Sequence, residues 1–333
     1  MNFVSLQYVF FFLVVSVSFY FLPHRHQWKW LLAASLLFYM AGGPWHIIVP
    51  LFIGLVGYGA GLLIERTQSP AFRKTVLIAS LVANIGVLTF FKYLAFLTDS
   101  LLAVSNFIRG HLFASKDLFA APWVTQILVP LGISYVTFQS IGYVIEIYRG
   151  SRSAERHMGF FFTYLLFFPK LFAGPIERAH NFLPQLRERR PFDLARVKEG
   201  LKLIAWGLFK KLVIAQQIAK ITNVVFSQPD GYIGLPVLLA VLFFTVQLYA
   251  DFSGYTDIAI GSANVLGYQL MKNFDFPFIA RSTTELWRRW HISLSTWFFD
   301  YVYNPLAIAK RDWDKWAVVY ASVVTFLILG LWH

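Results

Sequence analysis

The residues best suited to chemistry lie in one stretch, from Tyr249 to Pro305. It contains Tyr249-Ala250-Asp251-Phe252-Ser253-Gly254-Tyr255-Thr256-Asp257, then Asn273-Phe274-Asp275-Phe276-Pro277-Phe278, then Glu285-Leu286-Trp287-Arg288-Arg289-Trp290-His291-Ile292-Ser293-Leu294-Ser295-Thr296-Trp297-Phe298. Asp251 and Asp257 adjoin a long apolar run, and Glu285, Arg288, Arg289 and His291 stand among Trp and Phe. Ionisable groups in such surroundings are costly and usually serve a pathway or a reaction site. His291 is read as functional, because an imidazole exchanges a proton near neutral pH. His333 closes Gly330-Leu331-Trp332-His333 and is a second candidate, although a lone terminal residue is ordinarily frayed. Trp287, Trp290 and Trp297 with Arg288 and Arg289 fit an interface-lying helix equally well, so both readings stay open.

The other histidines, His24, His26, His46, His111, His157 and His180, fall near span ends or in loops. None is expected to hold a metal, and His24 with His26 is too short a pair to claim one. Zero Cys removes thiol nucleophiles and Cys-ligated metals. There is no Gly-x-Ser-x-Gly elbow, Walker loop or HExxH, which leaves hydrolase, ATPase and metalloprotease readings without support.

The elements that must position these residues are set by composition. Of 333 residues, 57% are hydrophobic, 19% aromatic and only 14% charged. A soluble domain carries roughly 25% charge, so this chain cannot cover a water-facing surface of its size. Its mean hydropathy of +0.57 predicts an all-α polytopic membrane protein with one integral domain over residues 1–333. The net charge of +12 belongs in cytoplasmic loops and near anionic headgroups, and no basic patch with stacking aromatics suggests nucleic acid.

Apolar runs are expected to span at Phe3–Leu22, 30–42, 45–64, 75–97 and Trp123–Ile147, with further spans at Tyr232–Tyr249 and Trp316–Trp332. His24, Arg25, His26 and Lys29 follow the first run, which puts that loop in the cytoplasm and the N-terminus outside. Glu65, Arg66, Arg73 and Lys74, then Arg149, Arg152 and Arg156, mark later cytoplasmic returns. Asp99, Arg109, His111, Lys116 and Asp117 are expected in an outer loop. Gly54, Gly57, Gly59 and Gly61 suggest close helix packing, Gly57 and Gly61 as a GxxxG pair.

Met158–Ile176 is apolar but holds Pro169, Lys170, Gly174 and Pro175, so it is expected to be re-entrant or buried in protein. Nine basic residues between Arg178 and Lys211 alternate with Leu201, Leu203, Ile204, Trp206, Leu208 and Phe209. That pattern predicts an amphipathic cytoplasmic surface helix. Arginines there, such as Arg178 and Arg190, could attract an anionic donor or simply fix topology.

With the quoted motifs, Phe172-Ala173-Gly174-Pro175-Ile176-Glu177-Arg178 and Phe182-Leu183-Pro184-Gln185-Leu186 complete a pattern spanning nearly the whole chain. It resembles the membrane-bound O-acyltransferase family, in particular its bacterial branch that acetylates alginate or transfers D-alanine to teichoic acid. The resemblance implies an integral enzyme moving an acyl group, acetyl by preference, onto hydroxyls of an exported, alginate-like polysaccharide, directly or through a periplasmic acetyltransferase partner. It maps the signature histidines onto His291 and His333, the latter as the catalytic base, with Asp251, Asp257, Glu285, Arg288 and Arg289 in support. It implies no bound cofactor, an acyl donor such as acetyl-CoA or a carrier-protein thioester, and a bacterial inner-membrane location. Family members continue past this His, so the chain is expected to be truncated and to lack C-terminal helices. A transporter or flippase would explain the spans and intramembrane charges but not two histidines within these motifs.

Overall fold

A computed structural model describes residues 3–112, 130, 132–228 and 230–333. It is 79% helical, without strands among the described residues. Four described helical stretches are long and apolar enough to cross a membrane: Pro44–Arg66, Pro70–Leu94, Leu235–Val265 and Lys315–Trp332. The chain is a multi-pass helical membrane protein, as its composition requires. By internal contacts it forms two units, one comprising Met1–Phe38 with Leu166–His333 and the other Tyr39–Leu165.

In the first unit, α1 (Leu6–Phe21) starts at Ser5, whose side chain accepts Tyr8 N–H, and ends before Pro23. These signals trim the expected span to 16 residues, about 24 Å of helix. Tyr8, Phe12, Val15 and Phe19 recur at helical spacing on its buried face, while Phe10, Leu13, Val14 and Val17 face outward. Apolar side chains on the outer face are what a lipid-facing helix needs. α2 (His24–Met40) follows, and its Ser35 hydroxyl accepts Phe168 N–H at 3.1 Å.

In the second unit, α3 (Ile48–Arg66), α4 (Pro70–Leu112) and α5 (Ile133–Tyr148) pack together, with most of α6 (Met158–Leu166) beside them. A Cβ on Gly54 would strike Phe162, one on Gly57 would strike Ser140, and one on Gly61 would come 2.8 Å from Tyr143 and Ile147. The expected glycine packing is therefore real at those three positions, whereas Gly59 faces open space. α4 runs on to Leu112. The outer loop expected from Asp99 is helical backbone instead, since no Pro or Gly interrupts residues 87–109. Lys116, Asp117 and the first part of the Trp123–Ile147 run lie outside the described residues.

Beyond α6 the backbone is irregular yet buried, with a short 3₁₀ turn at Phe168–Lys170. Its polar groups are satisfied from within the unit: Ile176 N–H donates to Ser293 Oγ at 3.0 Å, and the Thr256 hydroxyl donates to Ala173 C=O at 3.2 Å. This is the protein-buried, broken segment predicted from its prolines.

The basic stretch departs from expectation. Instead of one surface helix it forms α7 (Ala179–Arg187) and α8 (Leu194–Leu208), separated by Pro191 and restarted by Asp193, whose carboxylate accepts the Ala195 and Arg196 N–H groups. α8 passes through a π-helical turn, Phe209–Ala215, into α9 (Gln216–Ser227). The later span is longer than expected: α10 (Leu235–Val265) continues 16 residues past Tyr249, through the Asp251–Asp257 motif. α11 (Thr283–Arg289), α12 (Ile292–Phe298), a second π turn at Phe299–Tyr303, α13 (Asn304–Ala309) and α14 (Lys315–Trp332) complete the chain.

Candidate active site

The polar motif on α10 survives burial because α8 and its π turn bring cations to it. The two helices run antiparallel with backbones in close approach: a Cβ on Gly207 would lie 2.6 Å from Gly254 O, and one on Gly261 would lie 2.6 Å from Gly200 O. Both glycine pairs are spaced by seven residues, two helical turns, so the contact repeats along the seam. Beyond it the π turn aims Lys210 and Lys211 at α10. Lys210 Nζ pairs with Asp257 at 2.6 Å and donates to Ser253 Oγ at 3.0 Å, while Lys211 pairs with Asp251. π turns are frequent at functional sites because they re-aim side chains. Both lysines, expected on an amphipathic surface helix, are thus counter-ions of the two candidate aspartates.

His291 sits at the reversal between α11 and α12. It is 3% exposed and adopts a left-handed backbone, φ +44°, a conformation that costs a non-glycine residue about 1–3 kcal/mol. Asn273 holds it there. The Asn273 carbonyl accepts Ile292 N–H at 2.9 Å, and its side-chain Oδ1 accepts the Ser293 N–H at 3.3 Å and the Ser293 hydroxyl at 2.8 Å. Ser293 Oγ in turn accepts Ile176 N–H, tying the reversal to the broken segment. Two nitrogens at this junction are left without a hydrogen-bond partner: His291 Nε2 and Asn273 Nδ2. Burial first, and the electrostatic influence of His333 second, push the His291 imidazolium down to about 3. His291 is therefore a neutral imidazole.

Aromatic rings wall this junction. Phe252 meets the His291 ring edge-on at 4.7 Å, and Phe274 contacts Phe252, Tyr249 and Trp290. Trp297 is buried against Phe298 and Tyr301, and Trp287 packs on Phe326 of α14. The tryptophans pack inward, which decides against the interface-anchor reading for Trp297.

Glu285, Arg288 and Arg289 take no part in the hydrogen bonds around His291. Glu285 accepts Arg281 N–H at 2.9 Å and the Arg289 guanidinium at 3.0 Å; these two bonds, the backbone one first, hold its carboxyl below the usual range. Arg289 also bonds the Asp275 carbonyl. Both residues brace the start of α11, beside the Ser282 cap. Arg288 is exposed, and among the described residues its side chain has no hydrogen bond or ion pair. His333 lies at the end of α14, its ring 4.5 Å from that of Trp332. Arg178 is not a free attractor for an anionic donor: it is buried, pairs with Asp300 of the second π turn at 2.9 Å and covers the Tyr301 ring. Arg190 is held by Gln185 O and Glu188. Asn273, Ser293, Lys210 and Lys211 are the members that composition and spacing did not single out. Among the described residues no three His, Asp or Glu side chains gather as a metal cluster.

Such a fold, with spanning helices, a buried broken segment and a buried neutral His, defines a polytopic membrane protein with a buried polar site. The chain belongs to the membrane-bound O-acyltransferase family, whose sequence model matches residues 157–333. It is 36% identical to the probable alginate O-acetylase AlgI of Azotobacter vinelandii over 341 residues, covering 100% of this chain and 64% of that protein. It is 32% identical to the peptidoglycan O-acetyltransferase of Helicobacter pylori, covering 91% of this chain and 60% of the relative. It is 33% identical to the teichoic acid D-alanyltransferase of Streptococcus thermophilus, covering 61% and 51% respectively. The chain spans less than two thirds of the length of these relatives.

Proposed function

We propose that this chain carries the acyl-transfer site of a membrane-bound O-acyltransferase that acetylates hydroxyls of an exported, alginate-like polysaccharide, directly or through a periplasmic partner. The observation that carries the reading is His291, neutral, buried, with an unpartnered Nε2 and electrostatically linked to His333, inside the region matched to the family. In this reading neutral His333 takes the proton of the acceptor hydroxyl as its oxygen attacks the thioester carbonyl of the donor. The carbon–sulfur bond then breaks, the thiolate leaves as thiol with that proton, and an ester remains. General-base assistance of this kind contributes about 10²- to 10⁴-fold. His291 Nε2 and Asn273 Nδ2 orient the reacting groups, and Lys210–Asp257 and Lys211–Asp251 hold α10 in register beneath them. Acetyl is favoured over D-alanyl because the alginate-type relatives align along the whole chain and the D-alanyl relative along 61%. The donor is acetyl-CoA or a carrier-protein thioester. Basic residues at the ends of apolar runs, Arg25, Lys29, Arg66, Arg73, Lys74, Arg149 and Arg152, support the reading of an N-terminus outside a bacterial inner membrane.

The test is mass-spectrometric ester content of surface polysaccharide from cells lacking their own O-acetylase and expressing the complete gene, its His291→Ala form or its His333→Ala form. Ester should fall at least 100-fold in His333→Ala at unchanged protein level. Ester retained in that variant refutes the assignment of the base.

A further inference from the structure

A second polar site lies in the other unit, outside the residues the family model covers. Where α3 ends, α4 begins and α5 ends, the helix termini and the loop after Gly150 enclose a cleft of about 430 Å³. Glu65, Thr67, Arg73, Ser151, Arg152 and Ser153 are among its lining residues.

The single carboxylate in the wall is already neutralised: Glu65 Oε1 accepts Ala154 N–H at 3.0 Å, and Oε2 pairs with Arg156 at 2.6 Å. The guanidiniums are not. Arg73 gives one hydrogen bond, from Nη2 to Tyr148 O at 2.9 Å, lies over the Tyr148 ring and leaves its buried Nε without a partner. Arg152 is exposed, and among the described residues it has no ion pair or side-chain hydrogen bond. Two positive forks with unused donors thus meet in a polar cleft, the arrangement that binds the oxygens of a phosphate. The neighbouring outward side chains Leu63 and Phe72 are apolar and about half exposed. The cleft therefore opens at the end of lipid-facing helices, the depth of phospholipid headgroups, where basic pockets between helices take anionic lipids.

We propose that this cleft binds a phosphate group at the membrane surface, as the headgroup of an anionic phospholipid or as a soluble phosphate ester. Arg73 is the inner ligand and Arg152 the outer one. The site is argued from the residues of this unit alone and does not rest on the acyl-transfer reading.

Purified protein in neutral detergent, titrated with phosphatidylglycerol, phosphatidylcholine or glycerol 3-phosphate and followed by native mass spectrometry, tests this. Phosphatidylglycerol should bind at least tenfold more tightly than phosphatidylcholine. Arg152→Gln, a substitution of an exposed loop residue, should weaken it about tenfold, the loss of one charge-assisted contact. Arg73→Lys, which keeps charge and loses the fork, should weaken it less than Arg73→Gln. Arg311→Gln, removing an exposed arginine outside the cleft, should change nothing. Binding of glycerol 3-phosphate that depends on Arg152 identifies the soluble source, and binding of the lipid alone identifies the headgroup. Equal binding of both lipids with no binding of glycerol 3-phosphate, or equal effects of Arg152→Gln and Arg311→Gln, overturns the proposal.

Discussion

Replacing Lys210 by Met should destabilise the protein far more than replacing its neighbour Lys211, and the structure sets the difference. The side chains of Lys210 and Asp257 are 9% and 19% exposed and 2.6 Å apart, whereas those of Lys211 and Asp251 are 21% and 42% exposed. Removing one partner of a buried pair strands the other charge, at a cost of about 3–5 kcal/mol. Opening a pair with a half-exposed member costs about 1 kcal/mol or less, because water reaches the charge left behind. Met is a good helix former, so propensity contributes little to either change. Lys210→Met should therefore lose at least about 2 kcal/mol more than Lys211→Met. The double variant Lys210→Met with Asp257→Leu removes both charges and should recover most of the loss, since an apolar pair of similar volume replaces a buried ion pair at little cost. Unfolding in detergent micelles, followed by circular dichroism, measures the parent protein, the two lysine variants, Asp257→Leu and the double variant. Equal losses for the two lysine variants, or a double variant as unstable as the sum of the singles, would refute the assignment of Lys210–Asp257 as a buried, coupled pair.

Folded His291 stays neutral down to about pH 3, while the unfolded chain binds that proton near pH 6.5. Stability should therefore fall as pH drops below 6.5, by up to about 1.4 kcal/mol per pH unit from this residue. His291→Asn, whose side chain tolerates positive φ, should flatten the profile measured by denaturation between pH 7 and 5. Asn273→Ala removes the acceptor of two Ser293 bonds; it should cost about 2–3 kcal/mol and lower kcat for ester transfer more than it raises KM, and unchanged kcat counts against its positioning role. Gly207→Leu should abolish folded protein, because its Cβ meets Gly254 O at 2.6 Å. Gly59→Ala, in open space, should be neutral or gain up to about 1 kcal/mol, and fluorescence-detected size-exclusion chromatography separates the two.

Spans and breaks were legible in the sequence because lipid imposes them: apolar runs long enough to cross, basic clusters at their ends and prolines where the backbone leaves the helix. The same logic misplaced Lys210 and Lys211. A basic residue at helical spacing beside Leu208 and Phe209 reads as a surface residue unless its counter-charge is known, and Asp251 and Asp257 lie 40 or more positions later in the chain. What joins them is the seven-residue spacing of Gly200 and Gly207 on α8, matched by Gly254 and Gly261 on α10, with the π turn that redirects the next side chains. A single sequence offers those glycines but not their pairing.

His291 illustrates the other limit. Its type and aromatic neighbours make it a candidate site residue, yet nothing in Trp290-His291-Ile292 encodes a positive φ. The left-handed backbone is imposed from a distance, by the carbonyl and amide of Asn273 on the residues that follow and by Ser293 on Ile176. That tether explains why a strained reversal persists in a dry place. It also leaves one nitrogen on His291 and one donor on Asn273 without a hydrogen-bond partner among the described residues. Buried polar atoms are seldom left unsatisfied, and two at one strained junction are the pattern of a site kept open for another molecule's atoms.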